Sequence, residues 1–206
     1  MNTPKKLFVT GIGTGIGKTI CSAILVEYLK ADYWKPIQSG DLDQTDSMLV
    51  QSLVNNKITI HPERHRFKLA ASPHKSAAQE NISIHLEDFE LPETENHLIV
   101  EGAGGLWVPL SDEVFMLDLI KKLKLPVVLV AKDYLGCINH TLLSIESLRK
   151  NSIPIAYFIF NGTFDEDTFR VIKKYLDEDT QILHIPNLKT IEPNTIREIA
   201  NKLKNI

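Results

Sequence analysis

Short apolar runs alternate along this chain with longer amphipathic stretches. The runs at residues 7–10, 33–36, 98–101, 127–131, 155–160 and 181–185 are close to continuously apolar, without strict in–out alternation. That pattern predicts parallel strands covered on both faces. Between them, residues 18–30, 46–54, 116–123, 139–150, 165–176 and 194–204 follow a helical period. Pro126, Pro154 and Pro186 punctuate the passages between elements. Strand–helix alternation of this kind predicts an α/β fold, a doubly wound, mostly parallel sheet flanked by helices. No linker, repeat or low-complexity block divides residues 1–206, which reads as a single domain. Residues 56–96 fit the alternation poorly and read as a long irregular insertion, the kind that is usually functional or mobile. They carry His61, His65, His74 and His85, whose spacing does not match a zinc site.

Composition narrows the function classes. The chain is 43% hydrophobic and 24% charged, ordinary for a soluble globular protein. A net charge of −3 gives no general attraction to nucleic acid or anionic membrane. Two cysteines, Cys21 and Cys137, make no disulfide framework and fit a reducing cytoplasm. Cys137 has no paired base in view and reads as a packing residue. No apolar run approaches the roughly 18 residues of a membrane span. Lys5 and Lys6 before Leu7, Phe8 and Val9 imitate a signal peptide, but that apolar stretch is too short and is soon interrupted by Lys18.

The first strand runs into "GIGTGIGKT" at residues 11–19. The dinucleotide fingerprint G-x-G-x-x-G fails there, at Ile16 from one start and at Lys18 from the other. The phosphate-binding loop G-x-x-x-x-G-K-[ST] fails only at its first glycine, where Ile12 stands. Its working parts remain. Glycines can turn backbone N–H groups towards an anion at a helix start. Lys18 can reach the β- and γ-phosphates, and the Thr19 hydroxyl can meet Mg²⁺. The ending Gly-Lys-Thr after a first strand favours phosphate binding over a glycine-rich turn with an exposed lysine.

Carboxylates for a metal-bound phosphate are at hand. Glu101, in "HLIVEGAGG" at 97–105, is predicted to end a strand on the edge of the sheet where α/β proteins bind ligands. "GDLDQTDS" at 40–47 supplies Asp41, Asp43 and Asp46, among which composition does not choose; any of them could also cap a helix. Lys35 is read from the residues alone either as a ligand-facing cation or as a solvated strand-end charge.

Taken together these stretches resemble the dethiobiotin synthetases, in order and over nearly the whole chain. The family's loop, G-T-D-T-x-V-G-K-T, has the same additional residue. "KPIQSG" at 35–40, Asp46 in "TDS", "SPH" at 72–74, "VEGAGGLWVPL" at 100–110, "LGCINHTLLS" at 135–144 and Asn161 after the fifth predicted strand also match. Single pieces are weak; the long loop with K-P-x-x-S-G and E-G-A-G-G is specific. The chain departs from the family at Gly13 and Gly162, where aspartate is common, and in a short passage at Ala31-Asp32 before the second strand.

The resemblance implies a P-loop NTPase-like fold and an ATP-dependent cyclo-ligase. Its substrates would be 7,8-diaminononanoate, CO₂ and MgATP, joined through a carbamate and a carbamic–phosphoric anhydride. By position, Thr19, Asp46 and Glu101 would hold Mg²⁺. Thr14, Gly15, Ile16, Gly17, Lys18, Gly102, Ala103 and Gly104 would surround the phosphates. Asn161, Gly162, Pro186 and Asn187 would face adenine. Lys35, Lys18 and Thr14 would act on the reacting groups, and Ser39 would lie beside the substrate. The family is a homodimer, and Gly136, Cys137, Ile138 and Asn139 would help bind the substrate carboxylate across the interface, where a helix start favours anions.

Two other classes compete. A MinD/ParA-type ATPase switch would carry a further lysine ahead of Gly-Lys-Thr, and residues 11–17 contain none. Its membrane helix could be imitated by the stripe Ile196, Ile199, Ala200 and Leu203, which reads more simply as a helix packed on the sheet. Another amide-forming ATP enzyme of the same superfamily would need ammonia, and no glutaminase domain is present to supply it.

Overall fold

The computed structural model describes residues 4–203. Seven parallel strands form the central sheet: β1 (Lys6–Gly11), β2 (Asp32–Trp34), β4 (Ile60–His61), β6 (Leu98–Gly105), β7 (Val127–Lys132), β8 (Ile155–Asn161) and β9 (Gln181–Ile185). Their spatial order is β4-β2-β6-β1-β7-β8-β9. The helices are α1 (Lys18–Leu29), α2 (Asp46–Leu53), α3 (Pro73–Gln79), α4 (Met116–Leu123), α5 (Cys137–Lys150), α6 (Glu166–Tyr175) and α7 (Pro193–Lys202). Phe8, Ile24, Leu25, Tyr33, Leu98, Ile99 and Phe158 are fully buried in one core cluster. Strands β1 and β6 lie side by side at its centre, which explains their unbroken apolar runs. Their carboxyl ends, at Gly11 and Gly105, are register partners at one edge of the sheet.

All six expected strands are present, with informative differences at their ends. β2 stops at Trp34, one residue before Lys35 and Pro36. Pro36 has no N–H to give a ladder, and the chain resumes as β3 (Ile37–Ser39). β3 pairs with β5 (His65–Phe67) in a separate two-stranded parallel sheet. Residues 56–96, expected to be irregular, therefore hold β4, β5, α3 and a 3₁₀ turn at Leu86–Asp88. Of the histidines there, His65 stacks on Phe67 with centroids 5.7 Å apart and bonds Asp88 at 3.1 Å; His61 lies 3.8 Å from Asp32, and its Nε2, like Nδ1 of His74, is buried without a hydrogen-bond partner among the described residues. Among the described residues, no group of three or more His, Cys, Asp or Glu side chains is placed to hold a metal.

Strand β6 does not stop at Glu101 as expected but continues to Gly105, so Glu101 is buried inside the strand. Thr45, not an aspartate, caps α2: its hydroxyl accepts the Met48 N–H at 3.2 Å. Asp46 then becomes the first helical residue. α5 starts two residues ahead of the predicted position. The predicted helix 194–204 runs in the structure from Pro193 to Lys202, and residue 204 lies outside the described residues. Among the described residues no helix is long and apolar enough to cross a membrane.

Candidate active site

The loop between β1 and α1 closes over the sheet edge. Gly17 precedes the helix with φ 87°, a left-handed conformation open to glycine at little cost. A Cβ there would also stand 2.3 Å from the Asn161 amide nitrogen. That amide donates to the Ile16 carbonyl at 2.7 Å, so the end of β8 holds the loop in place. No side chain caps α1, which leaves its first N–H groups available to an anion. Lys18 folds back and donates to the Gly13 carbonyl at 2.9 Å. Burial, assisted by the nearby Lys35, lowers its pKa to about 8 against the opposing pull of Glu101 and Asp46.

Behind the loop lies a cluster of charges. The Thr19 hydroxyl is 3.0 Å from Asp46 Oδ1 and 2.9 Å from Glu101 Oε1. It has one proton for two carboxylates. Lys35 Nζ reaches Asp46 Oδ2 at 2.5 Å, Glu101 Oε1 at 3.1 Å and the Gly102 carbonyl at 3.3 Å. Lys35 is only 4% exposed, so it is not a solvated strand-end charge. Burial opposes its charge, but Glu101 and Asp46 outweigh burial and hold its pKa above the usual lysine range. Conversely, burial opposes the charge of Asp46, and Lys35, Thr19 and Lys18 outweigh it and hold the carboxyl below its usual range. The Asp46 N–H donates to Gln38 Oε1 at 3.3 Å, which ties α2 to β3.

Thr14, Gly15, Gly17, Lys18, Thr19, Lys35, Ser39, Asp46, Glu101, Ala103 and Gly104 all line one open cleft of about 700 Å³. A hydroxyl and two carboxylates converging there are hard oxygen donors, the chemistry that suits Mg²⁺. Thr19 can satisfy only one carboxylate at a time, which leaves oxygen for a cation. The donor set fits that metal.

Other predicted residues lie elsewhere. Ile16 is buried, its side chain packed against Gly11. Gly102 faces the core: a Cβ there would be 2.7 Å from the Phe8 ring. Beyond Asn161, the Gly162 N–H donates to the Ile185 carbonyl at 2.7 Å, and Asn187 donates to Thr163 at 3.0 Å. These, with Pro186, are outside the lining of the main cleft. Gly136, Cys137, Ile138 and Asn139 line a second hollow with Asp133, Tyr134 and Leu135. Cys137 is buried, and burial raises its thiol pKa, in keeping with packing.

The cleft is lined further by Asp41, one of the three aspartates that composition leaves open, and by Gln38, Ser72 and Pro73, which sequence reasoning misses as ligand residues. The motif "SPH" carries a signal for the last two; the start of α3, which brings them to the cleft, carries none.

A family model described as an AAA domain matches residues 5–195. An ATP-dependent dethiobiotin synthetase BioD of Christiangramia forsetii is 44% identical, over 98% of this chain and 97% of its own length. One of Cytophaga hutchinsonii is 42% identical, over 97% of each chain. The chain belongs to the dethiobiotin synthetase family. Among solved structures, a ParA family ATPase from Chlorobium tepidum superposes with a TM-score of 0.53 at 14% identity, covering 98% of this chain and 100% of that one. The signal recognition particle receptor FtsY from Elizabethkingia anophelis, in complex with GDP, gives 0.52 at 13% identity, covering 99% of this chain and 65% of that one. Likeness at this identity establishes the doubly wound fold alone. The ParA-type switch is therefore not favoured: it shares the fold, whereas the full-length similarity is to dethiobiotin synthetases.

Proposed function

We propose that this protein is an ATP-dependent dethiobiotin synthetase that uses Mg²⁺, 7,8-diaminononanoate and CO₂. The observation that carries the proposal is the convergence of Lys18, Thr19, Lys35, Asp46 and Glu101 in one cleft of a chain from this family. Phosphoryl transfer depends mainly on positioning and charge neutralisation. A carbamate formed from a substrate amine and CO₂ must approach the γ-phosphate, and both are anionic. Lys35 is held charged beside that path and Lys18 lies over the loop, so two fixed cations offset the repulsion. The carbamate oxygen attacks phosphorus and ADP leaves; the second amine then attacks the carbonyl carbon, closes the five-membered ring and expels phosphate.

Thr19, Asp46 and Glu101 would hold Mg²⁺, which when bound neutralises triphosphate charge. Thr14 and Ser39 would orient the carbamate and its chain. The uncapped start of α1 would bind the phosphates. Asn161, Gly162, Pro186 and Asn187 would face the base; the Asn161 amide gives one N–H to Ile16, and its second N–H and its carbonyl oxygen would be left to meet a ligand. Gly136, Cys137, Ile138 and Asn139 would reach a substrate carboxylate in a second copy, which makes the working unit a homodimer. The protein would act in the cytoplasm, without nucleic acid or membrane. Incubation with labelled bicarbonate, omitting diaminononanoate, bicarbonate, ATP or Mg²⁺ in turn, tests the reading. Labelled dethiobiotin should form only in the complete mixture; ATP hydrolysis that ignores the diamine would overturn it.

A further inference from the structure

Tyr33 is a fully buried aromatic on β2. It pairs in register with Ile99 of β6, and residues 99 and 101 of a strand point to the same face. Its hydroxyl therefore reaches the carboxylate of Glu101, 2.9 Å from Oε2. The other oxygen, Oε1, meets Thr19 at 2.9 Å and Lys35 at 3.1 Å. The two oxygens of Glu101 thus have separate duties. Oε1 faces the groups that line the cleft; Oε2 faces the core and takes its hydrogen bond from Tyr33. Tyr33 itself is not part of the cleft lining.

A buried carboxylate oxygen without a donor is costly. Without the Tyr33 hydroxyl, Oε2 would be drawn towards Lys35 and Thr19, and the carboxylate would turn away from its present orientation. A phenol carries its proton at neutral pH and a carboxylate oxygen can only accept, so the Tyr33 hydroxyl is the donor of this bond.

We infer that Tyr33 is a positioning residue: it fixes the orientation of Glu101 so that Oε1 is presented to a nucleotide-bound Mg²⁺. This rests on the Mg²⁺ reading above. Partners of this kind, hydrogen-bonded behind a metal ligand, typically change metal affinity by about 10- to 100-fold when removed.

The test is Mn²⁺ binding, followed by electron paramagnetic resonance in the presence of a non-hydrolysable ATP analogue. Wild type, Tyr33→Phe, Glu101→Gln and the double variant are compared, with melting curves taken without metal. Tyr33→Phe should bind Mn²⁺ about 10-fold or more weakly while binding the metal-free analogue as wild type does. The double variant should be no weaker than Glu101→Gln alone, because Tyr33 acts through that carboxylate. Unchanged Mn²⁺ affinity in Tyr33→Phe, or fully additive losses in the double variant, would overturn the inference while leaving the Mg²⁺ reading intact. A wild type that adds nothing to the affinity of the analogue for Mn²⁺ would overturn both. Should Tyr33→Phe fail to fold, 3-fluorotyrosine at position 33 keeps ring and donor. Its fluorine resonance should move when Mg²⁺ and the analogue are added together but not with the analogue alone, and a stationary resonance would count against the role.

Discussion

Two regions of this molecule are finished to different degrees within one chain. Around Thr19 the charged side chains are mutually paired, with Lys35 and Glu101 buried and Asp46 partly so: Lys35 with Asp46 and Glu101, Thr19 with both carboxylates, Tyr33 behind Glu101. At the start of α5 the opposite holds. Leu135 is fully exposed, and Tyr134, Leu143 and Trp107 are exposed large hydrophobics. The difference has an energetic cause. Buried charges that lose a partner destabilise a fold strongly, so such a cluster must be complete before any ligand arrives. Exposed apolar surface costs each folded copy comparatively little and can wait for another surface to cover it. We therefore read the first region as the reaction centre, complete in each chain, and the second as a half-site that a partner copy completes.

Substitutions that break one region should leave the other recognisable. The largest effect is expected for Lys18→Ala, which removes the loop's cation: phosphate release should fall by at least about 10³-fold. Lys35→Met should come next, with turnover reduced by about 10²–10³-fold. Because Asp46 and Glu101 would then lack their buried counter-ion, its melting temperature should drop without Mg²⁺ and recover in part with it. ATP affinity measured by calorimetry with Mg²⁺ should change little; its collapse would move Lys35 into the nucleotide site.

In the second region, Asn139→Asp adds a negative charge near the start of α5, where a substrate carboxylate would bind. The KM for diaminononanoate should rise about 5- to 10-fold, with the KM for ATP unchanged.

The smallest expected effect is a proton count. Lys18 in the free protein titrates near pH 8, below the ordinary lysine value of 10.5, so above pH 8 it is largely neutral. A bound triphosphate favours its charged form. ATP binding should therefore take up a proton between about pH 8 and 10, and none at pH 6.5, where Lys18 is already protonated. Calorimetry in buffers of different ionisation enthalpy reads this directly.

The central strands were legible because parallel strands covered on both faces leave unbroken apolar runs. β3, β4 and β5 were not: at two or three residues each they have no period to detect. The loop, Thr19 and Asp46, which meet at the cleft, were legible by motif; Asn161, expected just after the fifth strand, is the last residue of β8. The burial of Lys35 was not, because it depends on Asp46 and Glu101 arriving from elements distant in sequence. Tyr33 left no signal beyond that of a core aromatic in a strand; only the register of β2 against β6 brings its hydroxyl to Glu101. Nor did sequence show that the Phe8 ring and the Met116 sulfur leave no room for a side chain at Gly102.

The central claim is that each reaction centre is complete in one chain and each substrate half-site is completed by the other. Mixed dimers test it most directly. Lys35→Met and Asn139→Asp chains, the first without its cation and the second with a repelling half-site, are co-expressed with different tags, and the doubly tagged species is isolated. In that species one cleft has an intact Lys35 and faces an intact α5 from its partner. Dethiobiotin formation at low diaminononanoate should recover to about half the wild-type rate per dimer. Recovery no greater than the average of the two parent variants would contradict the account.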